Sequence, residues 1–271
     1  MALTDKLTAI ANAIRAKSGK TGALSLDGMV TEINELSVGG GSDDTVQKIL
    51  DRTITSYSDN SITKIGNYAF YACTSLTDVT LPACTSLGNY AFYSCAKLTN
   101  ISAPACTYIG TSAFQNCKSL ATANFPACTI INGSAFKSCT ALTTAAFPNC
   151  MSVDAQAFYG CTKLTTVSLP KAMTVGMSCF FSCASLTTIS LPACNMIYIN
   201  AFNKCTKLTA LVLAGSTVCT LNGSNAFTST PIASGTGYIY VPSSLVASYK
   251  AATNWTYFSS RISAIENSSF A

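Results

Sequence analysis

The chain has no histidine, one tryptophan, and charged residues at only 10% of its 271 positions. Histidine is the commonest general base near neutral pH and a leading metal ligand, so its absence removes the usual catalytic triads and mixed His/Cys metal sites. Arginine is missing between Ile65 and Ala214, where the only acids are Asp78 and Asp154. Readers of nucleic acid concentrate arginine and lysine on one face. The lysines of this span (Lys97, Lys118, Lys137, Lys163, Lys171, Lys204 and Lys207) are instead scattered one or two to a stretch. The net charge of +5 is read as solubility, and no nucleic acid partner is expected. No run approaches the ~20 apolar residues that span a bilayer, although mean hydropathy is +0.35. No membrane insertion is expected. The N-terminal stretch is interrupted by Thr8, Asn12 and Arg15, which does not fit a signal peptide. No C-x-x-C occurs, and GGGSDD lacks the strand and the Lys-Ser/Thr of a P-loop. Neither a cofactor nor a metal is expected.

What the sequence does contain is a beat of 22 residues. Phe70, Phe92, Phe114, Phe136, Phe158, Phe180 and Phe202 are evenly spaced, each preceded by Ala or Cys. A cysteine follows each Phe by three, from Cys73 to Cys205, and a leucine follows by six, from Leu76 to Leu208. Self-similarity at a fixed period denotes stacked units rather than an ordinary core. Asp78 and Asp154 then fall about three and a half repeats apart. At ~4.8 Å per repeat they are too distant for paired acid–base work. No enzyme is expected.

Fourteen cysteines would suggest disulfides in a secreted chain. Their placement argues otherwise. Seven follow the Phe by three, and Cys84, Cys106, Cys128, Cys150 and Cys194 follow it by fourteen. Columns of repeat-spaced cysteine read as small buried apolar residues. Cys179 stands where the repeat otherwise carries Ala, and no role is assigned to it.

Four segments are expected. Residues 1–36 show helical spacing in two stripes (Leu3, Leu7, Ile10, Ile14, then Leu26, Met29, Ile33, Leu36), a helical hairpin too short to be stable uncovered. Residues 37–44, SVGGGSDD, read as a flexible linker. Residues 45–213 open with a strand-rich cap, VQKILDRTITSYSDNSI, and continue as the repeats. Residues 214–271 break the beat and read as an α+β cap. In it GYIYVP is a strand, SSLVASYKAAT a helix capped by Ser243 or Ser244, and Trp255 an anchor.

Within one unit, L-x-x-V-x-L-x-x-C-x-x-L nearly matches the leucine-rich-repeat template. Its first apolar positions form a short strand that stacks in parallel on the next. Pro82, Pro104, Pro126, Pro148, Pro170 and Pro192 end the strands where no ladder donor is needed. The unit I-G-x-x-A-F-x-x-C-x-x-L-T-x-x-x-x-P resembles the BspA-like (Treponema-type) leucine-rich repeat over roughly residues 62 to 213. The fold expected is an α/β solenoid: seven right-handed 22-residue repeats with stacked parallel short strands, the N-terminal hairpin and the C-terminal cap. YIYVPSSLVASYKAATNW resembles the end-cap of such proteins. L-x-x-I-A-x-A-I-R-x-K-S-G, with L-S-L-D-G-M-V-x-E-I, resembles a helical module of phage and prophage structural proteins.

The resemblance implies adhesion and recognition of a protein or glycan, with no catalytic residues to carry over. Lacking the secretion signal and wall anchor of cell-surface members, the chain is expected to be a phage or phage-like tail or tip component. In that setting residues 1–36 dock to other virion proteins or trimerise, and the solenoid contacts a bacterial surface protein or glycan. A self-assembling structural protein and a cell-surface, extracellular adhesin are the alternatives. Two surfaces are candidates. The strand face carries a hydroxyl-rich array that includes Asp78, Thr80, Asn100 and Asn124. It is either a hydrogen-bonding face or the ordinary exposed surface of parallel strands. Beside the Phe column stand Tyr68, Tyr71, Tyr90, Tyr93, Tyr159 and Phe181. They are either rigid contact area or a shield over the convex side.

Overall fold

The computed structural model describes residues 48–49 and 51–269. The expected hairpin (1–36) and linker (37–44) lie outside the described residues.

Each coil has three hydrogen-bonded sides. The first is a three-residue strand: β1 (Ser56–Ser58), β3 (Asp78–Thr80), β5 (Asn100–Ser102), β7 (Thr122–Asn124), β9 (Thr144–Ala146), β11 (Thr166–Ser168), β13 (Thr188–Ser190) and β15 (Ala210–Val212). These pair in parallel as β1-β3-β5, β7-β9-β11 and β13-β15, the last continuing into β17 (Tyr238–Val241) and β18 (Ile262–Ala264). The central residue of each points inward, as Val79, Ala123, Ala145 and Ile189 do, while Asp78 and Thr80 face out. Small or β-branched side chains at that position suit the pleated surface of a stacked ladder.

The second side is a two-residue strand that the sequence reading did not place. β2 (Lys64–Ile65), β4 (Ser86–Leu87), β6 (Tyr108–Ile109), β8 (Ile130–Ile131), β10 (Ser152–Val153), β12 (Thr174–Val175), β14 (Met196–Ile197) and β16 (Thr220–Leu221) form one continuous parallel sheet. The strands start 22 residues apart until the last step, where Met196 pairs with Thr220.

The third side carries the Phe. Here backbone alternates between right- and left-handed conformations, with positive φ at Tyr68 (63°) and Ala72 (55°), and again at Tyr90 (56°) and Ser94 (58°). The N–H groups of Tyr68, Phe70 and Ala72 therefore turn toward the next coil and donate to the carbonyls of Asn89, Ala91 and Tyr93 at 2.9, 2.7 and 2.7 Å. Those of Tyr71 and Cys73 turn back within the coil, to Tyr68 and Phe70. Backbone groups in a solenoid interior cannot reach water, and this alternation supplies each with a partner.

The core is a stack of rings. Phe70, Phe92, Phe114, Phe136, Phe158, Phe180 and Phe202 are fully buried. Successive centroids lie 5.1–5.5 Å apart with nearly parallel planes. Offset stacking adds about 0.5–1.5 kcal/mol per pair beyond burial. Both cysteine columns face this core, as the sequence implies.

The solenoid does not stop at Leu213. Phe227 comes 25 residues after Phe202 yet stacks on it at 5.6 Å and 4°, and β16 and β17 extend the two ladders. A three-residue insertion is absorbed before Phe227 and the column continues. Trp255 and Phe258 then close on Phe227. Trp255 is fully buried and its indole N–H donates to the Cys219 carbonyl at 2.7 Å. Thr230 caps the short helix α1 (Pro231–Ser234) by accepting from the Ala233 N–H. The expected Ser243 or Ser244 cap of helix α2 (Val246–Ala251) is absent. A 3-10 turn over Ser243–Leu245 precedes α2, and the Ser243 hydroxyl donates instead to the Glu266 carboxylate at 3.2 Å.

Candidate functional site

The aromatic residues beside the Phe column fall into two groups. Tyr68 and Tyr90 stack at 5.0 Å and 2°, and Tyr71 and Tyr93 at 5.0 Å and 2°. Tyr68 also meets Tyr71 at 5.9 Å, and Tyr90 meets Tyr93 at 5.8 Å. The result is a two-by-two block of half-buried rings on neighbouring coils. Burial raises the pKa of the Tyr71 hydroxyl. Because rings of adjacent coils cover one another's inner faces, the block offers chiefly ring edges and hydroxyl ends. Tyr68 and Tyr90 sit at left-handed positions, so their direction is fixed by a backbone the ladder already determines.

Tyr159 and Phe181 form the second group, stacked at 4.7 Å and 3°. The Lys137 ammonium lies 4.9 Å from the Tyr159 centroid, and the Lys204 ammonium 5.3 Å from that of Phe181. The column order is Lys137, Tyr159, Phe181, Lys204, so a cation covers each outer ring face and the rings cover the inner ones. The Lys137 ammonium also donates to the Gln156 side chain at 2.8 Å. This pair is closed to a stacking ligand, and the structure does not join it to the tyrosine block.

On the strand face, much of the threonine array is engaged with the fold. The hydroxyls of Thr77, Thr99, Thr143, Thr165 and Thr209 each donate to a carbonyl of the preceding coil at 2.9–3.2 Å. Thr85, Thr107 and Thr129 do the same along the second sheet. Asp78 is different. It accepts from the Thr77 hydroxyl at 2.6 Å and from the Asn100 amide at 2.7 Å. These bonds hold its carboxyl below the usual carboxylate range while it stays fully exposed. Thr80 and Asn124 are exposed in the neighbouring outward row, two coils apart. Asp78, Thr80 and Asn100 thus share one end of this face, on a different segment of the coil from the tyrosines.

All fourteen cysteines are free and buried. From Cys95 onward the Phe-plus-three thiols donate to the Phe carbonyl of the preceding coil, as Cys95 does to Phe70 at 3.0 Å and Cys117 to Phe92 at 3.1 Å, while Cys73 turns to the Ile49 carbonyl at 3.8 Å. Burial pushes Cys73, Cys106 and Cys161 up to about 12. A thiol held protonated and out of solvent is a poor nucleophile. Among the described residues no group of three Cys, Asp, Glu or His could hold a metal ion, and no helix is long and apolar enough to cross a membrane.

Parallel coils of one period, with leucine and a ring in every layer, define a leucine-rich-repeat solenoid. The chain belongs to the BspA type leucine rich repeat family: that repeat region matches in six copies over residues 52–153 and 129–252. Solved structures of similar fold include a leucine rich cell surface protein from Faecalibacterium prausnitzii, at 17% identity over 76% of this chain and 82% of that one, with a TM-score of 0.37. Another is a leucine-rich repeat protein from Bacteroides ovatus, at 17% identity over 74% and 82%, with a TM-score of 0.35. The leucine rich repeat protein of T. pallidum is 25% identical over 49% and 72%, with a TM-score of 0.35. Among curated proteins no relative matches the chain.

Proposed function

We propose that this protein is a non-enzymatic recognition protein of adhesion type, working at the cell surface or outside the cell. Its partner is a surface protein, held at the tyrosine block of Tyr68, Tyr71, Tyr90 and Tyr93. The observation that carries the reading is the block itself: four half-buried rings, fixed by stacking across a rigid ladder. Rigid aromatic contact area carrying polar ends is what binding surfaces concentrate, because it costs little conformational entropy to immobilise.

The covered faces favour protein over glycan. A sugar packs its C–H face on an open ring face, and here stacking closes one face of each of the four rings. Edges and hydroxyls suit the mixed apolar and hydrogen-bonding surface of a protein. The family match supports an adhesion role. The phage or phage-like setting finds no support in it. That expectation rested on the resemblance of residues 1–36, outside the described residues, and on the expected lack of a secretion signal and wall anchor; the extracellular alternative carries the proposal.

The test is binding of the full chain to bacterial cells before and after protease shaving. Shaving should abolish binding, and the Tyr71→Ala, Tyr93→Ala double variant should weaken it at least about tenfold. Undiminished binding to shaved cells, lost instead on removal of surface polysaccharide, would establish a glycan partner and overturn the reading.

A further inference from the structure

Counted back from the following Phe, Cys84, Cys106, Cys128, Cys150 and Cys194 each stand eight residues ahead, and so does Cys219 ahead of Phe227. Cys219 is therefore the last member of that column, carried across the three-residue insertion. The earlier members turn their thiols to a carbonyl two residues on: Cys84 to Ser86 at 3.2 Å, Cys106 to Tyr108 at 3.2 Å, Cys128 to Ile130 at 3.3 Å and Cys150 to Ser152 at 3.2 Å. At the end of the column this bond slackens. Cys194 lies 3.5 Å from the Met196 carbonyl, two residues on, and Cys219 lacks that bond, lying 3.7 Å from the carbonyl of Thr220, one residue on. The two sulfurs meet each other instead, at 3.8 Å, the one hydrogen bond between thiols among the described residues.

We propose that Cys194 and Cys219 are a disulfide site, whose oxidation fastens the C-terminal cap to the last regular repeat. The backbones run side by side, since Met196 and Thr220 are ladder partners; Cys194 precedes Met196 by two residues and Cys219 precedes Thr220 by one, so the pair lies diagonally, one residue out of register. Ladder spacing with a one-residue offset, about 6 Å, still falls within the Cα separation a disulfide spans. Closing 3.8 Å to about 2.05 Å needs less than ~2 Å of relative movement, within reach of small side-chain rotations. Cys219 is also where the cap is held. Its N–H donates to the Tyr249 hydroxyl at 2.9 Å, and its carbonyl accepts from Trp255. A cleft of about 620 Å³ has Cys219, Asn254 and Trp255 in its wall and brings a small reagent to this end of the solenoid.

The oxidant is a low-molecular-weight disulfide of the glutathione class. The thiolate of one cysteine of the pair attacks one of its sulfurs, forming a mixed disulfide and releasing one small thiolate. The thiolate of the other then attacks that protein sulfur and expels the second. The two protein protons pass to the two released thiolates, so two thiols are oxidised and one disulfide is reduced. The hydrogen bond that the Cys219 thiol donates favours the Cys194 thiolate.

The experiment treats the reduced full chain with oxidised glutathione, blocks remaining thiols, and reads intact mass and a peptide map. The expected product has lost two hydrogens, carries a Cys194–Cys219 cross-link, and leaves twelve blockable cysteines. Its unfolding midpoint should rise by at least about 5 °C, reversibly with a reductant. Cys128→Ser should oxidise as the wild type does, whereas Cys194→Ser and Cys219→Ser should not form the link. If either serine variant fails to fold, the wild-type peptide map alone decides. Fourteen free thiols after oxidation, or cross-links spread over other cysteines, would overturn the proposal. The readout is chemical, so it stands or falls apart from the binding function.

Discussion

The thiol of Cys139 donates to the carbonyl oxygen of Phe114, 25 residues earlier and 3.1 Å away. The same bond recurs from Cys161 to Phe136, Cys183 to Phe158 and Cys205 to Phe180. Each cysteine thus fills a small apolar space and supplies a weak donor to the coil before it. Neither Ala nor Ser does both: Ala has no donor, and Ser adds the desolvation cost of a hydroxyl.

Stability should therefore collapse in mild alkali. Burial pushes Cys106, Cys161 and Cys205 from 9.0 up to about 12. The unfolded chain gives up those protons near pH 9. From about pH 9 to 12 it binds fewer protons than the folded state, and stability falls as pH rises. Each such thiol costs about 1.4 kcal/mol at pH 10. Three cost about 4 kcal/mol, a large share of an ordinary folding free energy. Denaturant unfolding at pH 7, 8, 9 and 10 should show a plateau to pH 8 and a steep loss above it. A midpoint unchanged to pH 10 would contradict buried, protonated thiols.

Much of this architecture is legible in the sequence because it repeats. Phe, Cys and Leu columns announce the layers of the core, and Val79 between Asp78 and Thr80 announces a strand. The second strand leaves no comparable mark. Ser86–Leu87 has one inward side chain, and a single residue cannot show alternation. The left-handed positions were readable only as an avoidance: Tyr68, Tyr90, Ser112, Ser134, Gln156, Ser178 and Asn200 include no β-branched residue. The candidate site was half legible. Tyr68 to Tyr93 cluster as expected, but the sealing of Tyr159 and Phe181 depends on Lys137 and Lys204, which occupy different places in the repeat and converge only on folding. Cys219 escaped its column because the insertion hides it when counting forward from Phe202.

Ser138 offers a direct test of the alternating backbone. Its φ is 59°, and Gly160 takes the equivalent place in the next coil at 72°. Ser138→Gly should leave stability within about 0.5 kcal/mol of wild type, the entropy of glycine offsetting the relief of strain. Ser138→Val should cost about 1–3 kcal/mol, because a β-branched residue is strained at positive φ. Equal unfolding midpoints for the two variants would refute the assignment.

Trp255 covers the open face of the Phe column, lying 6.1 Å from Phe227 by ring centroids. Trp255→Ala should cost about 3–5 kcal/mol locally. In a stacked array each coil leans only on its neighbours, so the loss should fray the C-terminal end first. Hydrogen exchange should accelerate in β15, β16 and β17 while β3 and β5 keep their protection. Uniform acceleration along the chain would show that the coils unfold as one unit.

Two glycines separate close approach from mere habit. A Cβ on Gly110 would lie 2.6 Å from the Gly88 carbonyl carbon and 2.7 Å from the Asn89 nitrogen. Both are backbone atoms of the preceding coil, so relief requires prising β4 from β6 beside the ladder bond that the Gly110 N–H makes to Leu87 at 2.9 Å. A Cβ on Gly133 would meet only the Ala155 carbonyl oxygen, at 3.4 Å. Gly110→Ala should destabilise by about 1–3 kcal/mol or more through overpacking. Gly133→Ala should be neutral or stabilising by up to about 1 kcal/mol, because alanine restricts the unfolded chain. Paired thermal and denaturant melts decide the matter, and the comparison is internal: both variants change glycine to alanine four or fewer residues ahead of a core Phe, so a difference in sign isolates the contact between coils. Were Gly110→Ala as stable as Gly133→Ala, the coils would have to sit farther apart on this side than the structure places them.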